Sequence, residues 1–305
     1  MKQDVYERIT NKIMAELEKG VRPWMKPWSA EHAAGRITSP LRANGIPYRG
    51  INVLMLWADS VEKGYNAPIW ITFKQAQELG GHVRKGESGS LVVYASTFSK
   101  TKTDAGSGAE VERDIPFLKG YTVFNAEQVE GLPPHFYAPA QAPLDPVQRI
   151  GRAEEFFSAT GADIRHGGNR TFYSYGEDRI QLPPCETFKD AESYYATLAH
   201  EAAHWTRHES RLERDFGRKR WGDEGYAMEE LVAELGAAFI CADFGIAPEG
   251  RDDHASYIAS WLKVLKDDKR AIVTAASHAQ RAADFLSAFS ASEETAPEAP
   301  QTIVA

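Results

Sequence analysis

His200-Glu201-Ala202-Ala203-His204 is the stretch that decides how the second half of this sequence folds. A helix carries residues i and i+4 on one face, one turn apart, so His200 and His204 can present two imidazoles to one ion. Glu201 follows the first of them and leans toward the same region. There it can take a proton from a water that the ion has made acidic. These are the parts of a zinc-type metallopeptidase helix. The flanks support a helix: Asp190 is placed to cap it, and Tyr194, Leu198, Ala202 and Trp205 give it an apolar side. With nine His residues in 305, roughly 0.02 such motifs arise by chance, so the pattern is read as a metal helix.

A catalytic ion of this kind keeps three protein ligands and one open position. The third ligand is expected from a second helix packed on the first, and Met228-Glu229-Glu230-Leu231-Val232-Ala233-Glu234 is the source. Its surroundings are those of a buried helix, yet it holds three carboxylates, which need partners when buried. Glu230 and Glu234 share a face; Glu229 faces the ion if the helix is rotated. His208, a further turn along, lies too far down the axis to complete a tetrahedron. Tyr226 reads as a core tyrosine, with stabilisation of an oxyanion as the alternative. The segment resembles the second helix of thermolysin-like peptidases (gluzincins), where the first of two acids binds zinc and the second orients a ligand histidine. That resemblance implies Glu230 as ligand and Glu234 as the orienting acid, with Glu229 the alternative ligand. Two imidazoles and a carboxylate suit Zn, and also Mn or Co.

Outward from this site, the chain reads as an α+β protein in two domains. The back domain, 147–290, is mainly helical with a short β-sheet. Helices are expected near Val147–Thr160, Ala191–His208, Tyr226–Phe244, His254–Leu265 and Arg270–Ala288. Two short strands are expected at Arg170–Tyr175 and Arg179–Leu182. A proline-rich stretch, 131–146, reads as the linker, and 291–305 as a disordered tail. The front domain, 1–130, starts with a helix over 3–20 ended by Gly20, with another near Asn52–Lys63. Strands are expected at Leu91–Tyr94 and Tyr121–Phe124, joined by a flexible loop, Ser99–Asp114.

The net charge of −8 is unevenly spread: the front is slightly basic and the back strongly acidic, which suggests two tasks on one chain. The two cysteines form no Cys-x-x-Cys pair, which argues against a disulfide scaffold or a cysteine zinc ribbon. The polar start lacks a signal-peptide core, and no apolar run approaches a membrane span. The reading is a protein of a reducing cytoplasm with no membrane partner.

In the front half, Trp24, Trp28, Tyr48, Trp57, Trp70, Phe73 and Tyr94 are interleaved with Lys26, Arg36, Arg42, Arg49, Lys74, Arg84 and Lys85. Aromatic faces that stack on bases, beside cations that follow phosphates, suit single-stranded nucleic acid; core packing is the competing reading of each aromatic. Trp24, Trp28 and Tyr48 are candidates for stacking, and Lys26, Arg42, Arg49, Arg84 and Lys85 for phosphates. The turn-rich stretch Asn44-Gly45-Ile46-Pro47-Tyr48-Arg49-Gly50-Ile51-Asn52 adds Asn44 and Asn52 as polar contacts.

Several separated motifs occur in order here: Pro23-Trp24 with Pro27-Trp28, Tyr48-Arg49-Gly50-Ile51-Asn52, Trp70-Ile71-Thr72-Phe73, Gly80-Gly81-His82-Val83-Arg84-Lys85-Gly86 and Tyr121-Thr122-Val123-Phe124-Asn125. Together they resemble the N-terminal domain of the plasmid antirestriction ArdC family, a domain shared with conjugative-plasmid primases of the TraC type. The back half resembles the metallopeptidase domain that accompanies it. The resemblance implies a front domain that binds single-stranded DNA, a zincin-like back domain, and protection of incoming plasmid DNA from host restriction during conjugation. A host protein such as a restriction component would be the substrate. Two alternatives stand beside it: a DNA-dependent metalloprotease acting on DNA-bound proteins, and a non-catalytic single-strand-binding module with a structural metal.

Overall fold

Ile9, Ile13 and Leu17 recur at helical spacing and lie buried on one stripe of the first helix, α1 (Val5–Glu18). After Leu17 the chain turns at Gly20, whose φ of 75° lies in the left-handed region that glycine enters without strain. The computed structural model describes residues 4–25, 38–103, 110–137, 146–217, 222–246 and 254–293. Contacts divide the chain into two compact units: Met1–Pro23 with Ser39–Gln141, and Trp24–Thr38 with Ala142–Ala305.

The first unit continues with β1 (Leu41–Arg42), α2 (Ile51–Lys63), β2 (Ile69–Ile71), α3 (Phe73–Glu78), β3 (His82–Val83), β4 (Ser90–Thr103), β5 (Glu110–Asn125) and β6 (Val129–Glu130). Its main sheet has the order β1-β2-β5-β4, and β3 pairs with β6. Leu56, Tyr65, Trp70, Val92 and Val123 form one buried cluster beneath α2. The β4–β5 hairpin departs from the sequence reading. Its ladder runs from Ser90↔Val123 to Thr103↔Glu110, so most of the stretch expected as a loop is strand. The sequence there is mostly Ser, Thr, Lys and Glu, so the apolar alternation that announces a strand is missing. The expected flexible tip, at 104–109, lies outside the described residues.

The proline-rich stretch also begins as part of this unit rather than as a free linker. Leu132 and Phe136 are buried with Ile71, Ala126 and Val129. The Tyr137 hydroxyl donates to the Val129 carbonyl and accepts from the Leu132 amide. Residues 138–145 lie outside the described set.

The second unit runs α4 (Pro146–Ala159), β7 (Asp163–His166), β8 (Phe172–Ser174), β9 (Arg179–Leu182), α5 (Ala191–Trp205), α6 (Glu224–Phe244), α7 (His254–Asp267) and α8 (Ala271–Glu293). The sequence reading missed β7, whose Asp163-Ile164-Arg165-His166 holds a single apolar residue. It pairs parallel to β9, and β8 pairs antiparallel on the other side. Ile180 and Leu182 are fully buried on β9. The helix expected over 191–208 ends earlier, where the Thr206 hydroxyl donates to the Ala203 carbonyl. The expected tail is helical through Glu293, and 294–305 lie outside the described residues.

Small residues let the helices of this unit approach closely. A methyl group at Gly236 of α6 would stand 3.1 Å from the Ala203 Cβ of α5 and 3.8 Å from the Ala279 carbonyl of α8. That crossing sets α6 tightly against the helix that carries His200 and His204. Among the described residues, no helix is long and apolar enough to cross a membrane.

Candidate metal centre and nucleic-acid surface

α5 is capped by Asp190, which accepts from the Ser193 amide at 2.8 Å, and α6 by Asp223, which accepts from the Tyr226 amide at 2.8 Å. Their crossing brings three side chains together. His200 Nε2 and His204 Nε2 are 3.2 Å apart, and each lies 3.6 Å from an oxygen of Glu230. All three residues are buried, with one ligand atom from each within 4.8 Å of the others. Two imidazoles and one carboxylate, gathered on one side of two helices, fit a single divalent ion.

Glu229, read from sequence as the alternative ligand, is turned elsewhere. Its Oε1 lies 3.0 Å from His204 Nδ1, the nitrogen on the far side of the ring from Glu230. It orients a histidine, a task the sequence reading gave to Glu234. Glu234 is buried one turn beyond Glu230, and Glu201 is buried on α5 at 2% exposure. His208 stands outside the cluster, half-buried against Tyr175 and bonded to Ser210. Tyr226 is a buried tyrosine whose hydroxyl meets that of Tyr257 at 2.9 Å. The sequence reading missed Arg214, a buried residue that pairs with Glu229. Its signal was a run of arginines, Arg207, Arg211 and Arg214, directly after the histidine motif in an acidic half.

Burial resists charging His204, but Glu230 and Glu229 outweigh it and hold its pKa up at about 10. Burial likewise opposes the charge on Glu229, and Arg214 followed by His204 brings its pKa down to about 2. Glu230 is also held far below the usual carboxylate range: His204 and His200 overcome its burial. In the absence of an ion, the cluster therefore balances its own charge with a proton on imidazole.

Residues 3–124 match the family described as the N-terminal domain of anti-restriction factor ArdC, and residues 151–278 match the zincin-like metallopeptidase family MPTase-PolyVal. The metal-free crystal structure of antirestriction protein ArdC from plasmid R388 superposes with a TM-score of 0.79 at 48% identity, covering 95% of this chain and 99% of that one. This chain belongs to the ArdC antirestriction family. The Mn(II)-bound structure of the same R388 protein aligns with a TM-score of 0.76 at 46% identity, covering 95% of this chain and 99% of that one. Protein y4eC of Sinorhizobium fredii is 46% identical over 291 residues, 93% of this chain and 92% of its own length. DNA primase TraC of Escherichia coli is 38% identical over 306 residues, which is 95% of this chain but 27% of the primase.

In the ArdC-type front region, the structure sorts the residues proposed for DNA. Trp24 is fully buried, grouped with the second unit, and meets Trp261 edge-on at 6.0 Å. It is a core residue and offers no face for a base. Lys26 and Trp28 lie outside the described residues. Asn52 is structural: its side-chain amide exchanges two hydrogen bonds with the Val93 backbone, at 2.8 and 2.7 Å. Tyr48 is half-buried on the α2 cluster, with the Arg42 guanidinium 5.4 Å above its ring. Arg42, Asn44, Arg49, Arg84 and Lys85 are exposed, although Arg84 is paired with Glu87 at 2.7 Å. Trp57 and Trp70 are core.

Phe73, at the start of α3, is 52% exposed, and two further open aromatics lie on the hairpin. Val92↔Tyr121, Tyr94↔Lys119 and Ser96↔Phe117 are cross-strand pairs, so these residues share one face. Tyr94 and Tyr121 are 55% and 42% exposed, and Lys119 Nζ lies 5.2 Å from the Tyr121 ring. Trp24→Ala is thus a folding variant. It should destabilise the protein by about 3–5 kcal/mol, read as a fall in the thermal midpoint, while refolded protein keeps its DNA affinity. Lost affinity at unchanged stability would return Trp24 to the binding surface.

Proposed function

We propose that this protein protects incoming conjugative-plasmid DNA from host restriction, binds single-stranded DNA through its front unit, and carries a peptidase centre in its back unit. The observation that carries the reading is the buried convergence of His200, His204 and Glu230 in a chain whose front half is an ArdC-type domain. His200, His204 and Glu230 would hold the ion, taken here as zinc, with manganese or cobalt also compatible. When bound, a divalent ion acidifies water and polarises a substrate carbonyl. Glu201 accepts the proton from the attacking water and returns it to the leaving amine. Glu229 holds His204 in place. The substrate would be a host protein met on or near the transferred DNA. A purely structural metal is disfavoured because the R388 relative has a metal-free structure that matches this chain closely.

A protection assay tests the whole reading. Transferred DNA should survive restriction in cells that make the parent chain and be lost in cells that lack it. For the front unit, cations facing phosphates release counterions, so the logarithm of the single-strand affinity should fall linearly with log salt, by about 0.7 per phosphate contacted. Stacking on an exposed tyrosine contributes about 1–3 kcal/mol. Tyr94→Ala and Tyr121→Ala should each weaken oligonucleotide binding by that amount in fluorescence anisotropy. Affinity that ignores both salt and these two changes would remove the hairpin face from the reading.

A further inference from the structure

Arg214 reaches the metal cluster from outside the two helices that supply the ligands. It lies in the segment after α5, where Glu213 takes a φ of 47° and the chain folds back on the last turn of the helix. The Leu212 amide donates to the Thr206 carbonyl at 3.1 Å, and the Arg214 amide to the Arg207 carbonyl at 3.0 Å. Arg214 is 4% exposed. Its Nε donates to Glu229 Oε2 at 2.8 Å, and its Nη2 to Glu229 Oε1 at 2.8 Å. Nη2 also donates to the Ala203 carbonyl at 2.9 Å, and Nη1 to the Thr206 hydroxyl at 3.0 Å. One guanidinium therefore ties the backbone next to His204 to the carboxylate that meets His204 Nδ1.

We propose that Arg214 is a positioning residue for the metal centre: it clamps Glu229, so that Glu229 fixes the His204 ring instead of binding the ion itself. Glu229 and Glu230 are adjacent acids that both meet His204, one at Nδ1 and the other at Nε2. The arginine fork engages both Glu229 oxygens in one plane, which a lysine ammonium does not reproduce. With Nδ1–H donated to Glu229, the nitrogen left to shed its proton to an incoming ion is Nε2, toward His200 and Glu230. Without the fork, Glu229 is a buried carboxylate with one partner fewer and is free to swing. The inference rests on the reading of His200, His204 and Glu230 as ligands.

The test uses the full chain with Arg214→Met, Arg214→Lys, Glu229→Gln and the Arg214→Met/Glu229→Gln double variant. Zn²⁺ and Mn²⁺ affinities are measured by calorimetry at fixed pH, and the His204 Nδ1–H hydrogen bond to Glu229 in metal-free protein by the ¹H and ¹⁵N NMR shifts of that N–H. Each single change should weaken metal binding about 10- to 100-fold, with Arg214→Lys failing to recover parental affinity. The double variant should be no weaker than its weaker parent, because the two residues act in series. Parental affinity with a parental Nδ1–H resonance in folded Arg214→Met or Arg214→Lys would overturn the proposal, and so would full additivity in the double. If Arg214→Met does not fold, Arg214→Lys and Glu229→Gln decide the matter. A parent that binds neither ion would defeat the ligand reading; the NMR comparison of parent with Arg214→Lys would still decide the clamp.

Discussion

Glu230→Gln should cost the protein its ion. The substitution keeps the shape of the side chain and removes the only negative charge among the three converging groups, His200, His204 and Glu230. A neutral amide oxygen is a much weaker donor to a divalent ion than a carboxylate, so the affinity for Zn²⁺ or Mn²⁺ should fall by about 100-fold or more. Loss of an outer orienting group alone already costs about 10- to 100-fold. The pH dependence should change with it. In the metal-free protein His204 holds its proton up to about 10, with Glu230 the first of the groups that raise it against burial. The ion binds only deprotonated imidazole. Apparent affinity in the parent should therefore rise with pH throughout the range below about 10, by up to tenfold per pH unit for one proton displaced. In Glu230→Gln the proton is held less firmly, and the slope should flatten at a lower pH. Chelator competition over a pH series reads both effects. Parental affinity in this variant would remove Glu230 from the ligand set.

The metal helices were legible in the sequence because their constraints are local. His200 and His204 stand one turn apart on any helix, and the apolar residues around Glu229–Glu234 marked a buried helix with charges in need of partners. The rotation of that helix was not legible. Whether Glu229 or Glu230 faces the histidines depends on how α6 lies on α5, which is set by the Ala203–Gly236 contact and by Arg214, residues distant in sequence from one another. The front unit shows the same division. The end of α1 before Gly20 follows from a glycine stop, and the body of α1 follows from helical periodicity. The long β4–β5 ladder does not, since its sequence toward the tip lacks apolar alternation. Trp24 misled for a related reason: a tryptophan between prolines and lysines reads as exposed, and its contact with Trp261, more than two hundred residues later, is not visible in the local sequence.

Glu201→Gln separates binding from chemistry. Glu201 is buried on α5 directly after His200, and the three grouped ligand atoms come from His200, His204 and Glu230 instead. An amide there keeps the volume and polarity of the site but cannot accept a proton at neutral pH. Loss of a general base lowers turnover by about 10²- to 10⁴-fold, so hydrolysis of an unfolded protein substrate should become undetectable in an ordinary assay. Metal affinity should stay within about twofold of the parent, and single-strand binding should be unchanged. Retained proteolysis in this variant would remove Glu201 from the base role. The same protein then answers a question about the biology. If plasmid transfer into a restricting host is protected equally by the parent and by Glu201→Gln, protection comes from covering the DNA, and the metal centre serves another step. If protection is lost while DNA binding persists, hydrolysis of a host protein is the protective act. Running the protease assay with and without a single-stranded oligonucleotide then shows whether the front unit delivers the substrate.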